Sequence, residues 1–296
     1  MKRLFSTPPV LTMLALGLLS ACALDAGEPF ATVRPTFSAA FAHEHERETD
    51  DGFWRLTSGF EVAVESAAIE VESIALLSSA DGVATEVFDP ANPPEGYSNC
   101  HGGHCHADDG GTVDYADIEA ALLGAESAPL ATVLTLILDA PVDLLNVALL
   151  VPDCHASTLE GCGLEAGTLR RAELKLRRLT LHLAVRDSQE PARVEPRHVD
   201  LAIELTGDAH GTFAHAVDFT AERHGERFFD LDMSLTLSAA IFDEVDWAAS
   251  EIDAHAIAHA LSHAAFEAGA RGDEHAHGHD HDHAHDHAEG ESTHEH

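Results

Sequence analysis

Apolar and polar residues alternate through much of the middle of the chain, and that alternation predicts β-strands. Phe60 to Glu65 and Ile69 to Ile74 largely switch character residue by residue, the period of a strand with one buried and one wetted face. Leu174 to Val185, Val199 to Leu205 and Phe229 to Leu237 do the same. In the first of these the doubled Arg177-Arg178 slips the phase by one, which predicts a β-bulge. Ala131 to Leu138 and Val142 to Val151 are more continuously apolar and read as interior strands. Gly, Pro, Asn and Asp cluster between the runs, at 81–82, 89–95, 139–141, 187–191 and 207–211, as turns do.

Two stretches break this rhythm. Asp114 to Leu123 carries acids early and then Ile118, Ala121, Leu122 and Leu123, which predicts a short helix. Asp253 to Ala270 is Ala-rich with Ile257, Leu261 and Phe266 as its apolar positions, and predicts a C-terminal helix. Beyond 271 the chain is a low-complexity mixture of His, Asp, Glu, Ala and Gly, expected to be disordered without metal. The expected fold is mainly β, an Ig-like or Greek-key β-sandwich with a short helical insertion, a C-terminal helix and a His-rich tail. The expected division is 1–21 export signal, 22–34 tether, 35–250 sandwich, 251–271 His-bearing helix and 272–296 tail.

The first residues carry an address. Lys2 and Arg3 precede the apolar run Val10 to Leu19, which ends in Leu19-Ser20-Ala21-Cys22. The run is too short to span a bilayer as a stable helix. Charge, apolar run, small residues and Cys in this order resemble the signal peptide and lipobox of a bacterial lipoprotein. The resemblance implies that Cys22 is acylated and becomes the mature N-terminus. Ala23 stands where an Asp would resemble an inner-membrane retention signal, so the implied location is the outer membrane, facing the periplasm or the surface.

Export makes the other cysteines informative. Cys100, Cys105, Cys154 and Cys162 are an even set, consistent with two disulfides in an oxidising compartment. Pairing 100–105 and 154–162 is the simplest of three connectivities, and cross-pairing stays open.

Charge then narrows the ligand. Asp and Glu number 52 against 16 Lys and Arg, a net charge of −36. Loss of Lys2 and Arg3 with the signal makes it two units more negative. Nucleic acid is excluded as a partner, because phosphate binding needs clustered cations. Anionic membrane surfaces are disfavoured on the same ground, so membrane contact rests on the anchor. Cations are attracted instead, and 23 His offer them ligands.

Three His groups stand out. In the tail, His275, His277, His279, His281, His283, His285 and His287 alternate with Ala, Gly and Asp, followed by His294 and His296. Neutral imidazole suits zinc, copper and nickel. The tail resembles the His-rich segments of zinc-handling transporters and periplasmic zinc-binding proteins. In the predicted helix, His255, His259 and His263 lie at i, i+4 and i+8 on one face, where two rings can share an ion. The intervening residues lack the Glu of H-E-x-x-H, so a metalloprotease fits poorly. The third group is Cys100-His-Gly-Gly-His-Cys105-His106, with His101 and His104 between the thiols. It reads as a disulfide displaying three imidazoles, or as a mixed Cys/His metal site. Cys100-x4-Cys105-His106 resembles the C-x-x-C-H haem-attachment motif with two residues too many, so haem fits poorly. Calcium fits poorly too: residues 106–117 resemble half of an EF-hand loop, with His106 and Gly110 where oxygen ligands belong.

His43 and His45 alternate on an expected first strand. His155, His182, His198, His210, His215 and His224 are scattered and read as surface or hydrogen-bonded residues. No nucleophile elbow, phosphate loop or dinucleotide fingerprint is present, so the reading is of a non-enzyme. The expected function is a lipid-anchored envelope protein that captures, buffers or delivers zinc or copper, with a metal transporter or outer-membrane importer as the implied partner. The strand pattern also resembles periplasmic copper-handling β-sandwich lipoproteins, without a shared motif. The alternative is a β-sandwich interaction module with an accessory metal-binding tail.

Overall fold

The computed structural model describes residues 29–79, 88–90, 92–101, 103–123, 130–156, 159–207, 209–222, 227–261 and 264–272. Cys22, His224, His263 and the tail from His275 to His296 therefore lie outside the described residues. The protein is mainly β. Its strands are β1 (Ala31–Phe41), β2 (Trp54–Arg55), β3 (Phe60–Ser79), β4 (Tyr97–His101), β5 (His104–Ala107), β6 (Thr112–Asp114), β7 (Ala131–Ile137), β8 (Val142–Asp143), β9 (Asp153–Ala156), β10 (Gly163–Leu164), β11 (Gly167–Asp187), β12 (Arg197–Glu204), β13 (Thr212–Ala221), β14 (Phe228–Leu237) and β15 (Ala265–Gly272). The helices are α1 (Tyr115–Leu123) and α2 (Ala254–Ala260), with 3-10 turns at Ala209–Gly211 and Ala239–Phe242.

β3 and β11 pair antiparallel along most of their length and form the spine of an eight-stranded sheet ordered β12-β11-β3-β7-β9. β13 pairs with β11, and β2 and β8 pair with β3. A four-stranded sheet runs β10-β1-β14-β15, with β1 and β14 parallel. The two sheets share one apolar core. Val33, Phe37, Phe229 and Leu231 enter it from the smaller sheet, and Ile69, Leu136, Leu174 and Leu181 from the larger. Alternation is the cause: along β14, Phe229, Leu231, Met233, Leu235 and Leu237 are buried and the residues between them are wetter. The bulge expected at the doubled arginine is present. The β11–β3 register jumps between Leu176 and Arg178, and Arg178 then reaches both Glu70 and Glu204.

Several boundaries differ from the sequence reading. Residues 31–34 belong to β1 rather than to a tether, because Ala31 and Val33 are core residues. The predicted C-terminal helix covers only its first half. Asp253 caps α2 by accepting from the His255 amide at 2.9 Å. After Leu261 the chain turns and residues 265–272 become β15, which covers the edge of β14. High Ala content favoured helix, but Phe266 and Ala268 alternate with Glu267 and Gly269 and bury every second side chain. The run 142–151 is not an interior strand. The Asp143 carboxylate accepts from the Leu145 and Asn146 amides and turns the chain after two paired residues. Leu145, Val147, Leu149 and Val151 are left exposed. His43 and His45 follow the end of β1 and are 88 % and 86 % exposed, flanking Glu48.

Candidate metal centre

β4, β5 and β6 form a small third sheet, held to the body by a core of its own. Phe88, Cys105, Tyr115 and Ile118 are buried there, with Ala214 of β13 packed against them. Glu119 of α1 forms a buried ion pair with Arg171 of β11. The same guanidinium lies 5.9 Å from the Tyr115 ring centroid. Burial pushes the Glu119 carboxyl up, and the Arg171 charge opposes that shift. Burial likewise pushes the Tyr115 hydroxyl up to about 12. The Tyr115 amide donates to the Gly103 carbonyl at 2.9 Å, tying the hairpin tip to the start of α1.

β4 and β5 form a hairpin in which His101 and His104 are cross-strand partners. Gly103 takes a φ of +87°, a left-handed conformation that favours glycine. Cys100 and Cys105 form a disulfide across the reversal, and Cys154 and Cys162 form the second. Both sulfurs of the hairpin are therefore committed to each other. This removes the mixed Cys/His site and leaves no thiol for haem attachment. The calcium reading also loses its frame, since a β-strand rather than a helix leads into the 107–111 turn.

Strand alternation then decides where the imidazoles go. Cys105 is fully buried, so His104 and His106, its neighbours on β5, face the other way. His101 is the cross-strand partner of His104. One ligand atom from each of His101, His104 and His106 lies within 4.8 Å of the others. Among the described residues this is the only such group of three or more potential ligands. The Nε2 atoms of His101 and His106 are 3.2 Å apart. Two nitrogens bound at ~2.0–2.1 Å to one tetrahedral zinc ion stand about 3.3 Å apart, so this pair is already spaced as metal ligands. Nδ1 of His101 is buried and has no hydrogen-bond partner among the described residues. Burial, reinforced by the neighbouring His104, His106, His210 and His259, lowers the His101 pKa to about 4. The ring is thus neutral at physiological pH, the form that ligates metal.

Sequence reasoning missed His210. It sits on the 3-10 turn Ala209–Gly211, and its ring stacks on His101 at 6.3 Å. The rings of His255 and His259 stand edge-on to it at 5.9 and 5.0 Å. α2 buries Ile257, Ala258 and Ala260 against the body, leaving its two His exposed on the other face. Three segments far apart in sequence therefore meet in one patch of six imidazoles. No local signal marks His210; only the fold brings it there. His215 lines a cleft of about 230 Å³ with His101, Cys100, Tyr115 and Phe266. His182 pairs with Asp200 at 2.6 Å and His198 with Glu65 at 3.1 Å, and His155 is exposed.

Comparisons with protein families, with characterised proteins and with solved structures find no match to this chain.

Proposed function

We propose that this protein binds zinc or copper at His101, His104 and His106, and serves to capture, buffer or deliver the metal in a bacterial cell envelope. The observation that carries this reading is the disulfide-closed hairpin that aims three imidazoles at one point. Three His ligands leave a position open on a tetrahedral ion, which suits exchange better than a closed cage does. The order of elements around Cys22 supports export and lipid anchoring, and two disulfides accord with an oxidising compartment. The His-rich tail from His275 to His296 adds ligands at high local concentration. With no catalytic motif in the sequence, the role is binding rather than catalysis.

The test compares zinc and copper binding by residues 23–296 with and without residues 273–296. The shorter chain is expected to retain a tight ion. The double substitution His101→Ala/His106→Ala should weaken that ion by more than the ~10–100-fold typical of losing an outer hydrogen-bond partner. Unchanged affinity would remove the triad from the proposal.

One observation favours a second reading, an envelope interaction module. Val147, Leu149 and Val151 are 67 %, 70 % and 76 % exposed on one segment, more apolar surface than a solvated loop requires. Under that reading, metal-site substitutions leave partner binding intact, whereas Val147→Asp/Leu149→Asp abolishes it.

A further inference from the structure

We infer that His210, His255 and His259 form a second transition-metal position, adjoining the triad. The inference extends the metal-binding reading of the triad and rests on it. Its basis is placement. His255 and His259 are one turn apart on the exposed face of α2, the spacing at which two helix-borne rings can share an ion. His210 projects from a different element and lies within 5.9 Å of the first ring and 5.0 Å of the second. Their nitrogens do not yet converge as those of the triad do, since only the triad has all its ligand atoms within 4.8 Å. The exposed rings can supply the missing rotation, because side-chain torsions relax on a ps–ns timescale.

Three features make this a built site rather than a chance grouping. The first is the seating of His210. A Cβ on the next residue, Gly211, would lie 2.9 Å from the Leu205 Cβ and 3.2 Å from the Leu205 carbonyl oxygen. The turn is thus held close against the sheet by a residue without a side chain. The second is the fixed orientation of α2, whose opposite face is buried in the core. The third is continuity: the His210 ring stacks on His101 with an interplanar angle of 17°. Exposure falls from His255 and His259 to the half-buried His210 and His101. An ion caught on the helix face would therefore lie beside the triad.

The experiment is zinc protection of histidines from diethyl pyrocarbonate, read residue by residue by mass spectrometry on residues 23–296. Residue-level reading separates these positions from the tail. With zinc in excess of all sites, His104, His106, His255 and His259 are expected to be protected. In His210→Ala, protection of His255 and His259 should fall while that of His104 and His106 persists. Full modification of His255 and His259 beside a protected triad overturns the second position and leaves the first standing. Modification of both groups overturns both readings. Undiminished protection of His255 and His259 in His210→Ala overturns the three-residue site, and loss of triad protection in that variant shows a single shared site instead. His255→Ala, on an exposed helix face, repeats the test without touching the packed turn and should expose His259 in the same way.

Discussion

At the scale of single residues, burial and charge set the character of the candidate site. His101 stays neutral in the folded protein down to about 4, against an ordinary value of 6.5. Between those values the unfolded chain carries more protons at this residue than the folded one, so acidification favours unfolding. Stability of the metal-free protein is expected to decline as pH falls through 6.5 and to stop responding to His101 below about 4. Urea denaturation of wild type and His101→Gln across that range checks it: the difference in slope should approach about one proton. Glu119 is the second informative residue. Among the described residues, Glu119→Ala leaves Arg171 buried with only Glu173, 3.8 Å away, as a charged partner. The expected cost is about 3 kcal/mol, the low end for breaking a buried pair, measured by denaturation. Metal affinity should fall with it, because α1 ties down the tip of the hairpin.

At the scale of elements, short pieces do the positioning. The hairpin of β4 and β5 presents its imidazoles only because Cys105, Tyr115 and Ile118 pin its other face. Ile118→Ala removes a fully buried side chain from that small core and should cost ~2–5 kcal/mol. The damage should be confined to this lobe, visible as faster amide exchange in β4 to β6 with β3 and β11 unaffected. Gly211→Ala forces a methyl against the Leu205 backbone and should displace the turn, at a cost of about 1–3 kcal/mol. Its specific signature is weaker zinc protection of His255 and His259, with the triad unchanged. The bulge on β11 was legible in the doubled arginine. Residues 265–272 form a strand where their alanine content predicts a helix, in keeping with the alternation of Phe266 and Ala268 with Glu267 and Gly269. Alanine suits a helix by propensity and a small-residue edge strand by packing, and the open edge of β14 decided between them.

At the scale of the whole molecule, net charge and linkage govern behaviour. A chain at −36 draws cations toward itself, and that attraction is screened within ~10 Å at 0.1 M salt. Zinc association should therefore slow as salt rises, more than dissociation quickens. A stopped-flow series at several ionic strengths measures it. Zinc binding to the native state should also raise thermal stability, by about 2.7 kcal/mol when free zinc is a hundred times the dissociation constant. A chelator should reverse the rise, and His101→Ala/His106→Ala should diminish it.

The sequence by itself determined the strand-rich character, the bulge at Arg177-Arg178, and the likeness of its opening residues to a lipobox, and it offered 100–105 and 154–162 as the simplest of three cysteine pairings. These are written in short-range patterns: a period of two, a phase slip, even cysteines at close spacing. It also marked His101, His104 and His106 as candidate ligands, because they crowd into six residues between and beside two cysteines. The tertiary structure decided what no local pattern holds. It joined the cysteines to each other rather than to a metal, turned the apolar run after Asp143 outward, and brought His210, His255 and His259 beside the triad. Those outcomes depend on which strand edge lies open and which turn can pack closely, and such contacts exist only once distant segments meet.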